Sequence, residues 1–265
     1  MNALSELITK ARKIVIKFGS NTLAGSNGRI NDALLGEFAE QVSALIKQGK
    51  QIVIVSSGAQ LAGLSAMDKW ERKRDLHYRQ ALCAVGQVKL MDAWARAFAP
   101  PGIHIAQILL TRDDFADNNR TLNMRNTLFT LVDEGIIPII NENDTVSVEE
   151  IKIGDNDTLA AQSAVLWSAD LLILFSDIDG LYDKNPKEHS DAKLVGEVRD
   201  IKAVKNAVGK DGGAGEFGTG GIVTKLDAAE RVMSYGIPMI LAHGANRRAL
   251  EALASGAGQG TAFLV

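Results

Sequence analysis

Two polar clusters in the middle of the chain contain side chains suited to hold a small, multiply hydrogen-bonded substrate. The first, Asn141–Thr145, follows an apolar run, and the second, Gly154–Asp157, precedes an apolar helical pattern. In open parallel sheets the ligand crevice lies beyond the carboxyl ends of the strands, and amide and carboxylate groups also suit the start of a helix. Each cluster alone is more simply a turn or a helix cap, so the interpretation depends on the clusters that accompany them.

Two lysines, far apart in the sequence, could supply positive charge to a phosphate group. Lys17 opens the turn Lys17–Ser20 (KFGS) after a short β-branched run, and Lys225 follows the glycine-rich Gly218–Gly221 (GTGG). Glycine lets backbone N–H groups approach an anion, and a helix N-terminus beside a lysine is an anion site. The alternative is a strand-end lysine and a surface loop, but the density of glycine before a helical pattern favours phosphate.

Other motifs in the sequence fit less well. Gly213–Gly218 match the spacing of a dinucleotide-binding fingerprint, but no strand precedes them. A calcium loop starting at Asp177 fails because Leu181 and Tyr182 stand where an oxygen ligand and a glycine are required. The strand-end position of Ser176 and Asp177 favours contact with a nucleotide, with an Asp-Gly turn as the simpler alternative.

The histidines suggest neither a metal site nor a catalytic base. His77, His104, His189 and His243 lie in no paired metal spacing and suggest no Ser-His-Asp order. A carboxylate acceptor needs no base, because its unperturbed pKa of about 4 leaves it ionised at neutral pH. Phosphoryl transfer to a carboxylate requires mainly alignment and positive charge, which two lysines, helix N-termini and Mg²⁺ supply.

The composition is that of an ordinary globular chain. Its 265 residues are 46% hydrophobic and 23% charged, and the net charge of −3 gives no electrostatic footprint for nucleic acid. A single cysteine, Cys83, excludes a disulfide within the chain and fits a reducing compartment. We find neither a signal peptide nor an apolar run that could span a bilayer, so we expect a cytoplasmic protein that does not bind membranes.

Strand and helix patterns alternate along the chain, which positions these clusters at successive strand ends. Strands are predicted at Ile14–Ile16, Ile52–Val55, Ile103–Leu110, Ile136–Ile140, Leu171–Phe175, Ile237–Leu241 and Ala262–Val265. Helices are predicted at Asn31–Gln48, Arg79–Phe98, Asn119–Glu134, Ile222–Tyr235 and Asn246–Ala254. The alternation predicts a three-layer α/β/α sandwich with a central, mostly parallel sheet.

Eight segments together resemble the amino acid kinase family, and within it the members that phosphorylate the side-chain carboxylate of L-glutamate. They are Val15–Ser20, Ile52–Ala59, Leu82–Leu90, Gln107–Arg112, Pro138–Val146, Glu150–Asp157, Ser176–Tyr182 and Gly218–Lys225. The combination of INEND, GDND and GTGG followed by Thr-Lys is specific, whereas the SSGA turn is shared more widely. The resemblance implies a single kinase domain over residues 1–265, with residues 1 to about 165 binding the substrate and about 166 to 265 the nucleotide.

The resemblance also implies a role for each matching polar residue. The catalytic residues it implies are Lys17 and Lys225, on the transferring phosphoryl group, with Asp157 between them. The amino acid ligands it implies are Ser57, Asp144 and Asn156. The nucleotide contacts it implies are Lys17, Ser176, Asp177, Thr219, Gly220, Gly221, Ile222, Val223, Thr224 and Lys225.

The implied reaction transfers a phosphoryl group from ATP, bound with Mg²⁺, to L-glutamate, giving L-glutamyl 5-phosphate in the first step of proline biosynthesis. Proline is the expected feedback inhibitor, a homo-oligomer (dimer or tetramer) is expected, and association with glutamyl phosphate reductase is left open. Many members carry a C-terminal PUA domain, for which we expect no room in a chain that ends at Val265.

Two other functions stay open. One is a sister kinase, such as acetylglutamate kinase or aspartokinase; an acid at Asp144 favours a free amino group over an N-acetylated one. The other is a non-catalytic sensor of proline or nucleotide, against which the presence of Lys17, Asp157 and Lys225 argues.

Overall fold

Helices and strands alternate through residues 2–67, 75–147, 156–186, 188–210 and 221–265, the part of the chain that the computed structural model describes. The strands are β1 (Lys13–Phe18), β2 (Gln51–Ser56), β3 (Ile105–Leu110), β4 (Ile137–Glu142), β5 (Leu171–Ser176), β6 (Glu197–Val198), β7 (Met239–His243) and β8 (Thr261–Phe263). The helices are α1 (Ala3–Lys10), α2 (Ser20–Leu23), α3 (Asp32–Lys47), α4 (Ala59–Met67), α5 (Leu76–Phe98), α6 (Asn118–Asp133), α7 (Asn156–Trp167), α8 (Ile201–Lys210), α9 (Gly221–Met233) and α10 (Ala249–Ser255). A 3₁₀ turn, Arg112–Phe115, precedes α6.

The strands of the described residues form one sheet in the order β3-β4-β2-β1-β5-β7-β8-β6. Neighbouring strands run parallel except β7 and β8, which are antiparallel. Helices cover both faces, as the nearly continuous apolar strands require. The mostly parallel α/β/α architecture that the sequence predicts is therefore confirmed.

Each face of the sheet has its own apolar core, because successive side chains of a strand point to opposite faces. Ile14, Ile16 and Phe18 of β1 pack on the face that α1, α3, α5 and α10 cover. Val15 belongs to the core on the other face, beneath α7 and α9. Lys17 has the same parity as Val15, so β1 directs its lysine towards α7 and α9.

Aromatic side chains close the first core beneath the carboxyl ends of the strands. The ring centroids of Phe18 and Phe38 lie 4.5 Å apart with their planes at 60°. Trp94 packs beside Phe18, and its Nε1 donates a hydrogen bond of 2.9 Å to Ser56 Oγ. The buried indole nitrogen is thereby satisfied, and the last residue of β2 is held in place.

Helices α4 and α5 approach each other at glycines. A Cβ at Gly86 would lie 1.7 Å from the carbonyl oxygen of Ala59, a distance that no side chain tolerates, and Gly63 faces α5 in the same way. This approach brings the next residue of α5, Gln87, within 2.8 Å of Asn141 at the end of β4.

Some predicted boundaries are wrong. β4 extends through Glu142, so Asn141 and Glu142 belong to a strand and not to the loop that the sequence predicts. The sequence patterns also missed α1, α2, α4, α8 and β6. Helix α4 (AQLAGLSAM) is rich in small and apolar residues and packs along α5, so it lacks the polar face on which a helical pattern is recognised.

Candidate active site

The polar clusters gather at one edge of the sheet, where the parallel strands have their carboxyl ends. Lys17 lies near the end of β1, Ser57 directly follows β2, Asn141 lies near the end of β4, and Ser176 ends β5. In the sheet, β2 lies on one side of β1 and β5 on the other, so the strand order reverses at β1. A crevice forms at such a reversal of strand order, so this edge is the candidate active site.

An ionic cluster of Lys17, Asp157 and Lys225 occupies the centre of this edge. Lys17 Nζ lies 2.6 Å from Asp157 Oδ1, and Lys225 Nζ lies 3.0 Å from Asp157 Oδ2. The three residues are 6%, 2% and 8% exposed, in that order. Buried charges require partners, and here one carboxylate serves two ammonium groups, which leaves the cluster with a net positive charge. The arrangement can attract and hold a phosphoryl group.

The ion pairs keep Asp157 ionised. Burial raises the pKa of its carboxyl group, but the charges of Lys17 and Lys225 and their hydrogen bonds outweigh burial and lower the pKa to about 2. Thr224 Oγ1 donates to Asp157 Oδ2 at 3.0 Å, and Lys225 Nζ also donates to the carbonyl oxygen of Gly221 at 3.0 Å. The first turn of α9 is therefore fixed against the first turn of α7.

An amide cluster of Ser57, Gln87, Asn141 and Asn156 begins one residue before Asp157. Asn156 Nδ2 donates to Ser57 Oγ at 2.6 Å and to Asn141 Oδ1 at 2.9 Å. Asn141 Nδ2 donates in turn to Gln87 Oε1 at 2.8 Å. All four residues are buried. The first turn of α7 thus presents a carboxylate to the lysines and a neutral amide to the ends of β2 and β4.

Asp144 lies in the turn after β4, half-buried against α5. Burial raises the pKa of its carboxyl group to about 6, although a hydrogen bond with Cys83 and the charge of Arg79 act to lower it. Gln80 Nε2 donates to the backbone carbonyl of Asp144 at 3.3 Å. A partly desolvated carboxylate gains from a cationic partner, which an amino acid supplies through its ammonium group.

Ser176 and Asp177 lie together at the end of β5. Ser176 Oγ donates to Asp177 Oδ1 at 3.0 Å, and Asn21 Nδ2 donates to Asp177 Oδ2 at 3.0 Å. Burial raises the pKa of Asp177, but the hydrogen bonds from Asn21 and Ser176 bring it below its ordinary value. Asn21 was not predicted as a site residue; its one signal is a place in the polar turn that follows Lys17.

The predicted glycine-rich nucleotide segment is described only in part. Thr219 and Gly220, like Gly154 and Asp155 of the second polar cluster, lie outside the described residues. Gly221 begins α9, Ile222 packs into the apolar core, and Val223 is exposed. The side chains of this turn that reach Asp157 are those of Thr224 and Lys225.

Sequence reasoning also missed Gln87 as a site residue. Cys83, four residues earlier on α5, and Leu90, three residues later, are both buried. A polar residue in the apolar stripe of a helix is the signal that could have identified it, because such a side chain needs a buried partner.

The described ranges contain neither a membrane-spanning helix nor a cluster of metal-binding side chains. No helix there combines the length and the apolar character that crossing a bilayer requires. Within the same ranges, no three His, Cys, Asp or Glu side chains gather in a group that could hold a metal ion.

Comparison with known proteins finds a kinase family profile and closely related kinases. Residues 12–243 match the profile described as the Amino acid kinase family. Glutamate 5-kinase of Alkaliphilus metalliredigens (strain QYMF) is 62% identical over 260 residues, which are 98% of this chain and 98% of that protein. Glutamate 5-kinase of Geobacter sulfurreducens is 45% identical over 98% of this chain and 69% of that protein.

Solved structures share the fold at low sequence identity. UMP kinase from Ureaplasma parvum superposes with a TM-score of 0.67 at 15% identity, covering 97% of this chain and 100% of that one. Isopentenyl phosphate kinase gives a TM-score of 0.64 at 17% identity, with 95% of this chain and 99% of that one covered. On the family profile and the close relatives, the chain belongs to the amino acid kinase family.

Proposed function

We propose that the protein transfers the γ-phosphoryl group of ATP to the side-chain carboxylate of L-glutamate, forming L-glutamyl 5-phosphate in the first step of proline biosynthesis. The observation that carries this proposal is the buried convergence of Lys17 and Lys225 on Asp157. The name of the relatives, glutamate 5-kinase, indicates the acceptor, and membership of the kinase family indicates ATP as the donor.

The chemical step requires no general base. The acceptor carboxylate is ionised at neutral pH, so one of its oxygens attacks the γ-phosphorus directly while the bond from that phosphorus to the β,γ-bridging oxygen breaks and ADP leaves. Lys17 and Lys225 stabilise the negative charge on the transferring group. Asp157 is already ionised, with a pKa of about 2, and fixes the positions of the two ammonium groups without taking up a proton.

Mg²⁺ enters with the nucleotide in this proposal. Asp157 Oδ1 accepts a hydrogen bond from Lys17, and Oδ2 accepts from Thr224 and Lys225, so its carboxylate is engaged. The phosphate oxygens of ATP are the ordinary ligands of Mg²⁺ in kinases, and the ion supplies further positive charge beside the lysines.

The two halves of the chain bind different substrates in this proposal. Residues 1 to about 165 bind the amino acid, with Ser57, Asp144 and Asn156 meeting its α-ammonium and α-carboxylate groups. Residues from about 166 to 265 bind ATP, through Ser176 and Asp177 and through the segment from Thr219 to Lys225. The half-buried carboxylate of Asp144 and the buried Ser57–Asn156 hydrogen bond of 2.6 Å support the first assignment.

Feedback inhibition and self-association belong to the same proposal. Proline shares the α-amino and α-carboxyl groups of glutamate, so it would compete for Ser57, Asp144 and Asn156. Helices α5 and α6 expose Val88 and Leu122, which are 67% and 55% accessible, and pairing of these helices between subunits would cover them. Direct transfer of the reactive acyl phosphate to glutamyl phosphate reductase would limit its hydrolysis.

Hydroxylamine trapping tests the reaction. The protein with ATP, Mg²⁺ and L-glutamate should form a hydroxamate, together with an equal amount of ADP. L-Aspartate, N-acetyl-L-glutamate and a mixture without enzyme serve as controls. No product above the enzyme-free mixture would contradict the proposal, and preference for another acceptor would indicate a sister kinase. A melting temperature that rises with proline while no ADP forms with any amino acid would indicate a sensor.

A further inference from the structure

We infer that Gln87 is a positioning residue for the amino acid substrate, acting on Asn156 through Asn141; this inference rests on the proposed function. Gln87 is 8% exposed and lies on α5, whereas Asn141 and Asn156 come from β4 and α7. Through Asn141, Gln87 links α5 to β4 and α7 beneath the site without belonging to either predicted polar cluster.

The amide relay Asn156–Asn141–Gln87 runs in one direction in this structure. Asn156 uses both N–H groups of its side chain, one on Ser57 Oγ and one on Asn141 Oδ1. Asn141 then donates to Gln87 Oε1. A carboxamide oxygen only accepts and its nitrogen only donates, so the three amides are coupled: with the Gln87 oxygen towards Asn141, the nitrogen of Asn141 must face Gln87 and its oxygen must face Asn156. Asn141 in turn determines the orientation of Asn156.

Both ends of the relay carry an open hydrogen-bonding atom. Asn156 Oδ1 and Gln87 Nε2 are buried and have no partner within the described ranges. Buried polar atoms are rarely left unpaired, so the open oxygen of Asn156, a residue of the proposed amino acid site, indicates a group that a ligand satisfies. Because the relay commits the nitrogen of Asn156 to Ser57 and Asn141, it leaves an acceptor, and an acceptor suits the ammonium group of an amino acid.

One face of α5 supports the whole amino acid end of the site. Gln80 and Cys83 bond to Asp144, and Gln87 bonds to Asn141. The spacing of these α5 residues, i, i+3 and i+7, places them on the same side of the helix. The backbone approach at Gly86, on a neighbouring side of α5, fixes this helix against α4, so Gln87 has a rigid base.

Two substitutions separate a positioning role from direct contact with the ligand. Gln87→Met keeps the length of the side chain and removes the acceptor, so KM for L-glutamate should rise about tenfold, while kcat changes by less than about threefold and KM for ATP by less than about twofold. Gln87→Glu restores an acceptor oxygen in either protonation state, so KM for L-glutamate should return to within about threefold of wild type.

A second buried glutamine provides the matched control. Gln41 of α3 is 6% exposed and bonds to the backbone of Glu37, Arg247 and Glu251. Gln41→Met should lower the melting temperature and leave KM for L-glutamate unchanged. An equal rise in KM with Gln41→Met would mean that general loss of packing explains the effect, and would overturn the inference.

The remaining outcomes are also decisive. An unchanged KM in Gln87→Met would overturn the inference, and so would a Gln87→Glu variant as impaired as Gln87→Met, because the open nitrogen and not the acceptor would then be required. If Gln87→Met fails to fold, Gln87→Asn, whose amide is one methylene shorter, replaces it. A wild-type protein that phosphorylates no L-glutamate contradicts the proposed function itself, whereas an active wild type with unaffected variants contradicts this inference alone.

Discussion

Adjacent residues at the start of α7 belong to two regions that differ in their physics. Asp157 joins the ionic cluster with Lys17 and Lys225, whereas Asn156 joins the neutral amide cluster with Ser57 and Asn141. Both regions are buried to a similar degree. One helix turn therefore aligns a charged region suited to a moving phosphoryl group with an uncharged region suited to orienting a substrate.

The difference predicts how each region responds to damage. Removing one partner from a buried ion pair leaves an uncompensated charge, which typically costs about 3–5 kcal/mol. Losing one neutral hydrogen bond costs about 1 kcal/mol, or up to about 3 kcal/mol when the remaining partner stays buried and unpaired. We therefore expect mutations in the ionic cluster to affect stability and turnover strongly, and mutations in the amide cluster to affect mainly the KM for the amino acid.

Asp157→Asn should give the largest loss of stability. The substitution leaves two buried ammonium groups facing each other without a carboxylate, so the free energy of unfolding at neutral pH should fall by about 3 kcal/mol or more. Urea denaturation measures this change. Asp227→Asn is the matched control, because Asp227 is exposed and bonds to Lys205 at 2.6 Å; it should cost less than about 1 kcal/mol.

The dependence of the free energy of unfolding on pH, at acid pH, is a second test of the variants Asp157→Asn and Asp227→Asn. The pKa of Asp157 is lowered to about 2 in the folded protein, below the ordinary value of 3.8. Its contribution is therefore complete above about pH 4 and is lost as the pH falls towards about 2. Equal losses in Asp157→Asn and Asp227→Asn, or an acid limb that Asp157→Asn leaves unchanged, would refute a stabilising role for the buried cluster.

Lys225→Met should give the next largest effect, on turnover. Loss of one preorganised positive group at the transferring phosphoryl group should lower kcat about 10²–10³-fold, with KM for L-glutamate within about threefold of wild type. Steady-state ADP release measures both constants. Lys205→Met is the matched control, because it removes a more exposed lysine that bonds to Asp227 and Glu230 and not to Asp157. A fall in kcat shared by both variants would remove Lys225 from the mechanism.

Local signals were sufficient to predict that Lys17 and Lys225 suit a phosphate, whereas the place of Asp157 between them was implied by the family resemblance. Lys17 follows a β-branched run, Asp157 opens a helical pattern, and Lys225 follows a dense run of glycine. Parallel strands bring such ends to one edge, and the alternation of Val15 and Lys17 along β1 selects the face. These local rules place the three residues at one edge of the sheet, and the resemblance adds that Asp157 lies between the lysines.

The amide cluster could not be predicted in the same way. Gln87 has no local signal besides its place in an apolar stripe, and its partner is determined by how closely α5 packs on α4 at Gly86. That approach depends on helix α4, which small and apolar residues conceal from pattern analysis. The direction of the relay is a property of three elements together, so it appears only when the fold is known.

The pH dependence of KM that Asp144 causes should be the smallest of these effects. Asp144 is a charged residue at the amino acid end of the site, so it tests whether that end recognises its substrate through neutral groups alone. Its pKa is raised to about 6. The ionised form attracts the substrate ammonium, so KM for L-glutamate should fall up to about tenfold as the pH rises from about 5 to about 7, with a midpoint near 6. Initial rates of ADP release over this range measure the profile, and Asp144→Asn should abolish it.

The neighbours of Asp144 supply a directional control. Burial raises its pKa, whereas the hydrogen bond with Cys83 and the charge of Arg79 lower it, so Cys83→Ala should move the midpoint to higher pH. Asp144 and Asp157 also have opposite effects on the pH dependence of stability. Because the pKa of Asp144 is raised in the folded protein, its contribution to the free energy of unfolding decreases as the pH rises from about 4 to about 6. A KM profile that persists in Asp144→Asn would mean that another titrating group sets it, and would contradict the assignment of the pH dependence to Asp144. If KM in Asp144→Asn is instead independent of pH and equal to the wild-type value at pH 7, the open oxygen of Asn156 would be the remaining acceptor at the amino acid end, and the neutral cluster would recognise the substrate without a carboxylate.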